Sequence, residues 1–206
     1  MLNALLDLIF PPRCEVCKKD GKEALCNSCF SAIRFMKPHL GVHSVAVYDG
    51  VMKEAIQRFK FNKRKNLAGP LGVLMVQYIA ELKINMQEID TLIPVPLHPR
   101  RQRERGFNQV HYLAEIVSRY FGKPVVPALS RVKDTKPHFG LGREERFINI
   151  NQAFAVNDSR AVYNKRILLI DDIYTTGATM AECSRTLQIA GAKKIELLTL
   201  SRAVEF

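Results

Sequence analysis

The chain contains no GxxxxGK[ST] run, no internal repeat and no low-complexity tract. The first absence excludes a Walker phosphate loop, and the others leave no reason to expect a repeat array or a long unstructured linker. An apolar stretch long enough to cross a bilayer is also missing. Met1 to Phe10 is short, broken by Asp7, preceded by no basic residue and ended by Pro11-Pro12, so it reads neither as a signal peptide nor as a membrane span. It is expected to form a short amphipathic helix on the module that follows, in a soluble, cytoplasmic protein. Acidic residues are scarce: 20 Asp plus Glu face 31 Lys plus Arg, a net charge of +11. That balance favours a polyanionic partner, nucleic acid or a phosphorylated metabolite, and charge alone does not separate the two. With 206 residues and 47% hydrophobic content, the chain can build one main α/β domain with a small appendage.

Only five cysteines are present, and four fall close together: Cys14-x2-Cys17, eight residues, then Cys26-x2-Cys29. Paired CxxC turns let four thiolates converge tetrahedrally on one zinc ion, and in a cytosolic protein this outranks disulfides, with redox dithiols as the competing reading. Four thiolates close the coordination sphere, so such a zinc is structural. Lys18, Lys19 and Lys22 lie beside the thiols and would ease their ionisation. Cys183 reads as an ordinary buried thiol.

The richest stretch is Ile167 to Thr179, ILLIDDIYTTGAT. The unalternating Ile167-Leu168-Leu169-Ile170 suits a parallel strand covered on both faces, and such strands present ligands at their carboxyl ends. There stand Asp171 and Asp172, able to accept from ribose hydroxyls or to hold water on a magnesium ion. Adjacent strand residues face opposite ways, so one acid is expected to touch the sugar directly. Thr175-Thr176-Gly177-Ala178-Thr179 then offers hydroxyls and free N–H groups at a helix N-terminus, a phosphate cradle in which Gly177 permits close backbone approach. The stretch resembles the phosphoribosyl pyrophosphate (PRPP) motif of type I phosphoribosyltransferases.

A second candidate loop is Pro94-Val95-Pro96-Leu97-His98, where proline leaves only Val95, Leu97 and His98 with backbone donors for a pyrophosphate. From Pro96 the sequence runs PLHPRRQRERGFNQ to Gln109, and it resembles the PLHxxRxxxRGFNQ signature of the ComF family. Lys136-Pro137 and Arg143-x2-Arg146-x2-Asn149 match that family's mobile-loop pattern, so the resemblance spans Cys14 to Arg202. It implies a type I phosphoribosyltransferase-like parallel sheet flanked by helices, after an N-terminal zinc module. The expected division is 1–40 for the N-terminal helix and zinc module and 41–206 for the transferase-like domain, with a mobile loop at about 130–149.

A coarse pass predicts strands at Val45–Tyr48, Thr91–Pro94, Val125–Val126, Arg166–Asp171 and Ile195–Ser201. Helices are predicted at Val51–Phe61, Leu71–Leu82, Phe107–Phe121 and Ala178–Ala190, the last closed by Gly191 in a left-handed C-cap. Basic residues cluster at Lys53, Arg58, Lys60, Lys63, Arg64 and Lys65; at Arg100, Arg101, Arg103 and Arg105; and at Arg131, Lys133, Lys136, Arg143 and Arg146. These could form a track for single-stranded nucleic acid with Phe61, Phe107 or Phe139 stacking on bases, or a merely solvated cationic face. The second cluster is the nucleic-acid candidate, and Lys133 and Arg143 are the candidates for neutralising pyrophosphate.

The family resemblance implies a PRPP-binding protein of natural transformation that handles imported single-stranded DNA, with a helicase-like competence protein as a further partner. The competing class is an active phosphoribosyltransferase. No acceptor site is recognisable in the sequence.

Overall fold

The computed structural model describes residues 12–37, 41–61, 64–82, 84–135 and 142–204, apart from the side chain of Arg143. The expected helix at Met1–Phe10 and the residues Lys63 and Lys136–Phe139 lie outside that set. In chain order the elements are α1 (Asn27–Ser31), β1 (His43–Val47), α2 (Gly50–Phe61), α3 (Ala68–Glu81), β2 (Thr91–Pro94), α4 (Pro99–Arg105), α5 (Gln109–Phe121), β3 (Leu129–Arg131), α6 (Arg143–Ile150), β4 (Phe154–Val156), β5 (Arg166–Tyr174), α7 (Ala178–Ile189) and β6 (Lys194–Arg202). Short 3₁₀ turns at Lys65–Leu67 and Met86–Glu88 introduce α3 and β2.

A four-stranded sheet in the order β1-β6-β5-β2 carries the architecture, and all three of its pairings are parallel. Alternation along β5 divides the core. Leu168 and Ile170 enter the cluster formed with α2, α3 and α5, whereas Ile167 and Leu169 enter the one formed with α7, β3 and β4. Helices therefore cover both faces, which is why the apolar run lacks a polar alternate. The helices α3 and α5 meet backbone to side chain: a Cβ on Gly72 would lie 2.6 Å from the Ile116 Cβ. The zinc module joins the first core through Cys14, Leu25, Cys29 and Ile33.

Several boundaries differ from expectation for local reasons. Helix α3 begins at Ala68 rather than Leu71, because Pro70 falls in the first turn, where no N–H partner is needed. The basic run after His98 is itself a helix, α4. His98 Nδ1 caps it by accepting from Arg100 N at 3.3 Å, Pro99 sits at its start, and Gly106 ends it at φ +82°. Phe107 belongs to the turn that follows, and α5 starts one residue after its cap, Asn108, whose Oδ1 accepts from Val110 N at 3.0 Å. Val125–Val126 forms a single parallel bridge to Leu92 rather than a strand. At the edges of 130–149, Ser130 and Arg131 belong to β3, which pairs antiparallel with β4, and α6 opens at Arg143. Gly191 is left-handed at φ +88°, as expected.

Candidate functional site

The four thiols converge. All four Sγ atoms lie within 4.8 Å of one another, with Cys14–Cys29 at 3.7 Å and Cys17–Cys26 at 3.6 Å. Zn–S bonds of about 2.3 Å in a tetrahedron put sulfurs about 3.8 Å apart, so the set fits one zinc ion. Burial pushes the Cys14 thiol up, but N–H donation from the backbone of Cys26, Cys17 and Val16 outweighs it and lowers it to about 6. Between the first two ligands, buried Glu15 accepts from Asn66 Nδ2 at 2.8 Å and pairs with Arg64 and Lys18 at 3.4 Å. It ties the module to the corner between α2 and α3.

At the carboxyl end of β5 the two acids part, as their alternation requires. Asp172 turns to the α2–α5 side, where Lys60 Nζ reaches Oδ1 at 2.7 Å and Gln109 Nε2 donates to Oδ2. Asp171 turns the other way, towards Cys183 and Arg131. Its burial, then the charge of Asp172, push its carboxyl up to about 7 against the opposing influence of Lys60, the Asp172 N–H and Arg131. Thus Asp172 is paired with a lysine, while its buried neighbour has no cation within ion-pair distance among the described residues.

Beyond them the chain reverses through Gly177 at φ +83°, where a Cβ would run into the Tyr174 hydroxyl. No side chain caps α7, so its first N–H groups face the turn without a side-chain acceptor. The Pro94–His98 loop is anchored opposite. Asn108 Nδ2 donates to Val95 O at 3.1 Å, and Val95 N donates to Ile170 O at 2.9 Å. The second bond corrects an expectation: the Val95 N–H extends the β2–β5 ladder and is not free for an anion.

These elements enclose a cavity of about 230 Å³, lined among others by Lys60, Val95, Leu97, Arg101, Arg105, Gln109, Arg131, Asp171, Asp172, Thr175 and Thr179. Helix α4 divides its arginines by helical position. Arg101 and Arg105 face the cavity, while exposed Arg100 pairs with Glu104 at 3.1 Å and Asp134 at 3.3 Å and Arg103 points to solvent. Arg101 gives its Nη2 to the Thr135 carbonyl at 2.7 Å, Arg105 bonds Gln109, and buried Arg131 bonds Thr135 Oγ1 while leaving Nε without an acceptor. Among the described residues, none of the three arginines forms an ion pair with a carboxylate. Burial lowers the pKa of both Arg105 and Arg131, which marks the strain of holding unpaired cations in a half-dry site.

Other candidate residues lie nearby without lining the described cavity. Thr176, Gly177 and Ala178 build the turn, His98 caps α4, and Lys133 Nζ sits on the Asn151 carbonyl at 2.9 Å. The side chain of Arg143 is outside the described residues. Of the expected stacking rings, Phe107 is buried, Phe61 is exposed, and Phe139 is not described. Sequence reasoning missed Lys60, Gln109 and Arg131 as site residues. Gln109 ends the RGFNQ run, and that placement was the available signal; Lys60 and Arg131 carried none beyond their charge.

Residues 5–40 match the family described as double zinc ribbon domain, and residues 111–204 match the phosphoribosyl transferase domain. Competence protein F of Haemophilus influenzae is 30% identical over 92% of this chain and 90% of its own length. Competence protein ComFC of Bacillus subtilis is 34% identical over 78% of this chain and 63% of its own, and the DNA utilization protein YhgH of Escherichia coli K12 is 28% identical over 85% and 78%. The transferase match begins inside α5, so Lys60, Val95, Arg101 and Arg105 reach the acids from outside it. With a zinc-fitting four-cysteine module and a parallel sheet ending in paired acids, and with that likeness along most of its length, the chain belongs to the ComF family.

Proposed function

We propose that this chain binds PRPP with magnesium in the cavity at the end of β5 and handles imported single-stranded DNA in the cytoplasm during natural transformation. One observation carries the PRPP reading: Arg101, Arg105 and Arg131 converge, without carboxylate partners among the described residues, on a cavity that already holds two acids and a threonine turn. Arginines so placed suit a ligand bearing several anionic groups, since their planar forks bind phosphate oxygens in pairs. The 5-phosphate takes the Thr175–Thr179 turn and the start of α7, Asp172 and Asp171 face the ribose hydroxyls and the metal's water shell, and the pyrophosphate lies between the Leu97–His98 backbone and the arginines. Lys133 and Arg143, from either side of residues 136–141, add charge to the pyrophosphate. The DNA role is supported by the relatives' names, two competence proteins and a DNA utilization protein, and by the outward arginines of α4.

Calorimetric titration with PRPP and magnesium tests the cavity. The wild type should bind, and Asp171→Ala with Asp172→Ala should abolish binding; equal affinity in that variant overturns the assignment. The same mixture supplied with a panel of bases and amines and monitored for pyrophosphate release separates the binding role from an active transferase, which would show turnover.

A further inference from the structure

A second cavity, of about 320 Å³, opens beside the acid site and shares Lys60, Arg101 and Arg105 with it, adding Phe61 and Glu104. Phe61 ends α2 and is 70% exposed. An isolated exposed ring is ordinary, but this one is held: the Arg105 guanidinium lies 5.3 Å from its centroid and covers one face. Arg105 is itself fixed by Gln109, which donates to Asp172, and Lys60, the neighbour of Phe61, bonds the same carboxylate. The ring is thus tied through both Arg105 and Lys60 to Asp172, while most of its surface stays exposed.

We propose that this ledge receives a nucleobase, so that the two cavities together take a nucleoside 5′-monophosphate: phosphate and ribose on the β5 side, base stacked on Phe61. The proposal rests on the phosphoribosyl reading of the acid cavity and extends it to the group joined at C1 of the ribose. A flat base stacks on a preformed aromatic platform whatever its edge pattern, and Arg105 behind the ring strengthens the π-face by cation–π contact. Arg101 and Lys60 flank the path between the cavities and would steady the phosphate and sugar while the base is held. The same chemistry is offered by a free nucleotide and by the 5′-phosphorylated end of a DNA single strand.

Calorimetry on the full chain with adenosine 5′-monophosphate and with ribose 5-phosphate measures the base's share of the affinity. The nucleotide should bind about tenfold more tightly than the sugar phosphate, the scale of one base stacked on one ring. Phe61→Ala should erase that difference while leaving ribose 5-phosphate and PRPP affinities as controls of an intact fold, and Phe61→Trp should restore it. Equal affinities for the two ligands in the wild type, or a difference that survives Phe61→Ala, overturn the ledge. If PRPP fails to bind but the Phe61-dependent nucleotide gain persists, the reading of the acid cavity fails and the ledge stands. Competition by a 5′-phosphorylated oligodeoxynucleotide, and not by its 5′-hydroxyl form, assigns the ledge to strand ends; displacement by the mononucleotide alone assigns it to free nucleotides.

Discussion

The zinc module and the acid cavity each gather ionisable groups, and the fold completes them in opposite ways. Four thiols stand at tetrahedral spacing around a single point, and every ligand the metal needs is protein. Around the acids, Lys60 answers Asp172, the Asp171 carboxyl is pushed up to about 7, and among the described residues Arg101, Arg105 and Arg131 form no ion pair with a carboxylate. A closed sphere serves stability, because removing its ion removes folding energy. An incompletely answered set of charges costs stability until a ligand arrives, and that cost marks a binding site more sharply than either sign of charge alone.

Breaking the closed half should have the largest effect. Purified protein is expected to carry about one equivalent of zinc by metal analysis. Cys17→Ser or exhaustive chelation should lower the melting temperature steeply, since structural zinc in small modules is worth about 10 kcal/mol or more. The damage should spread, because Cys14 and Cys29 pack in the same core as Phe59 and Leu71, and Glu15 holds the α2–α3 corner. A metal-free preparation with unchanged melting would show that the module closes on its own, and the contrast with the acid cavity would be lost.

The open half is sharpened by pH. Asp171 ionises near 7 in the folded chain against an ordinary 3.8. The folded protein keeps this proton where the unfolded chain has lost it, so the contribution to stability is full below about pH 4 and disappears as pH rises through about 7. At about 1.4 kcal/mol per unit the swing approaches about 4 kcal/mol, reduced by the coupling to Asp172 and Lys60. Asp171→Asn should flatten the ligand-free stability curve between pH 4 and 7 and melt higher than the wild type at pH 8, by about 2–4 °C for each kcal/mol. A wild-type melting temperature constant over that range would mean that Asp171 is already ionised and its burial is fully offset.

The two regions were not equally legible in the sequence. Four cysteines at fixed short spacings are a local pattern, and ligands brought together by two tight turns need no knowledge of the rest of the fold. The acids and the threonine turn were also local, because one strand and the helix after it carry them all. Lys60, Arg131 and Gln109 reach the same cavity from three other elements, and only packing brings Lys60 within 2.7 Å of an acid 112 residues away. Val95 failed as a donor for a similar reason: strand register decides which N–H groups are spent, and the register of β2 against β5 is set by their shared core. Helix α4 is different: its cap, its proline and its glycine are all in plain order, but it buries no residue and so carries no apolar stripe to mark a helix.

The smallest effects should come from α4, where the comparison reduces to single residues. Arg101 and Arg105 share the cavity while Arg100 and Arg103 face solvent, although all four lie within two helical turns. Replacing Arg101 by alanine removes one charge-assisted partner of an anion, so PRPP affinity should fall by about tenfold or more in calorimetry. Replacing Arg100 or Arg103 should leave PRPP binding as it is and weaken single-stranded DNA only a few-fold, lowering the slope of log affinity against log salt by about 0.7 for each lost phosphate contact. The reverse result, with Arg101→Ala flattening the DNA slope and sparing PRPP, would place the inward arginines on the nucleic-acid path and make α4 one continuous basic track. In that case the unpaired charge around the acids would answer to a phosphodiester backbone, and the cavity would lose its claim to a pyrophosphate.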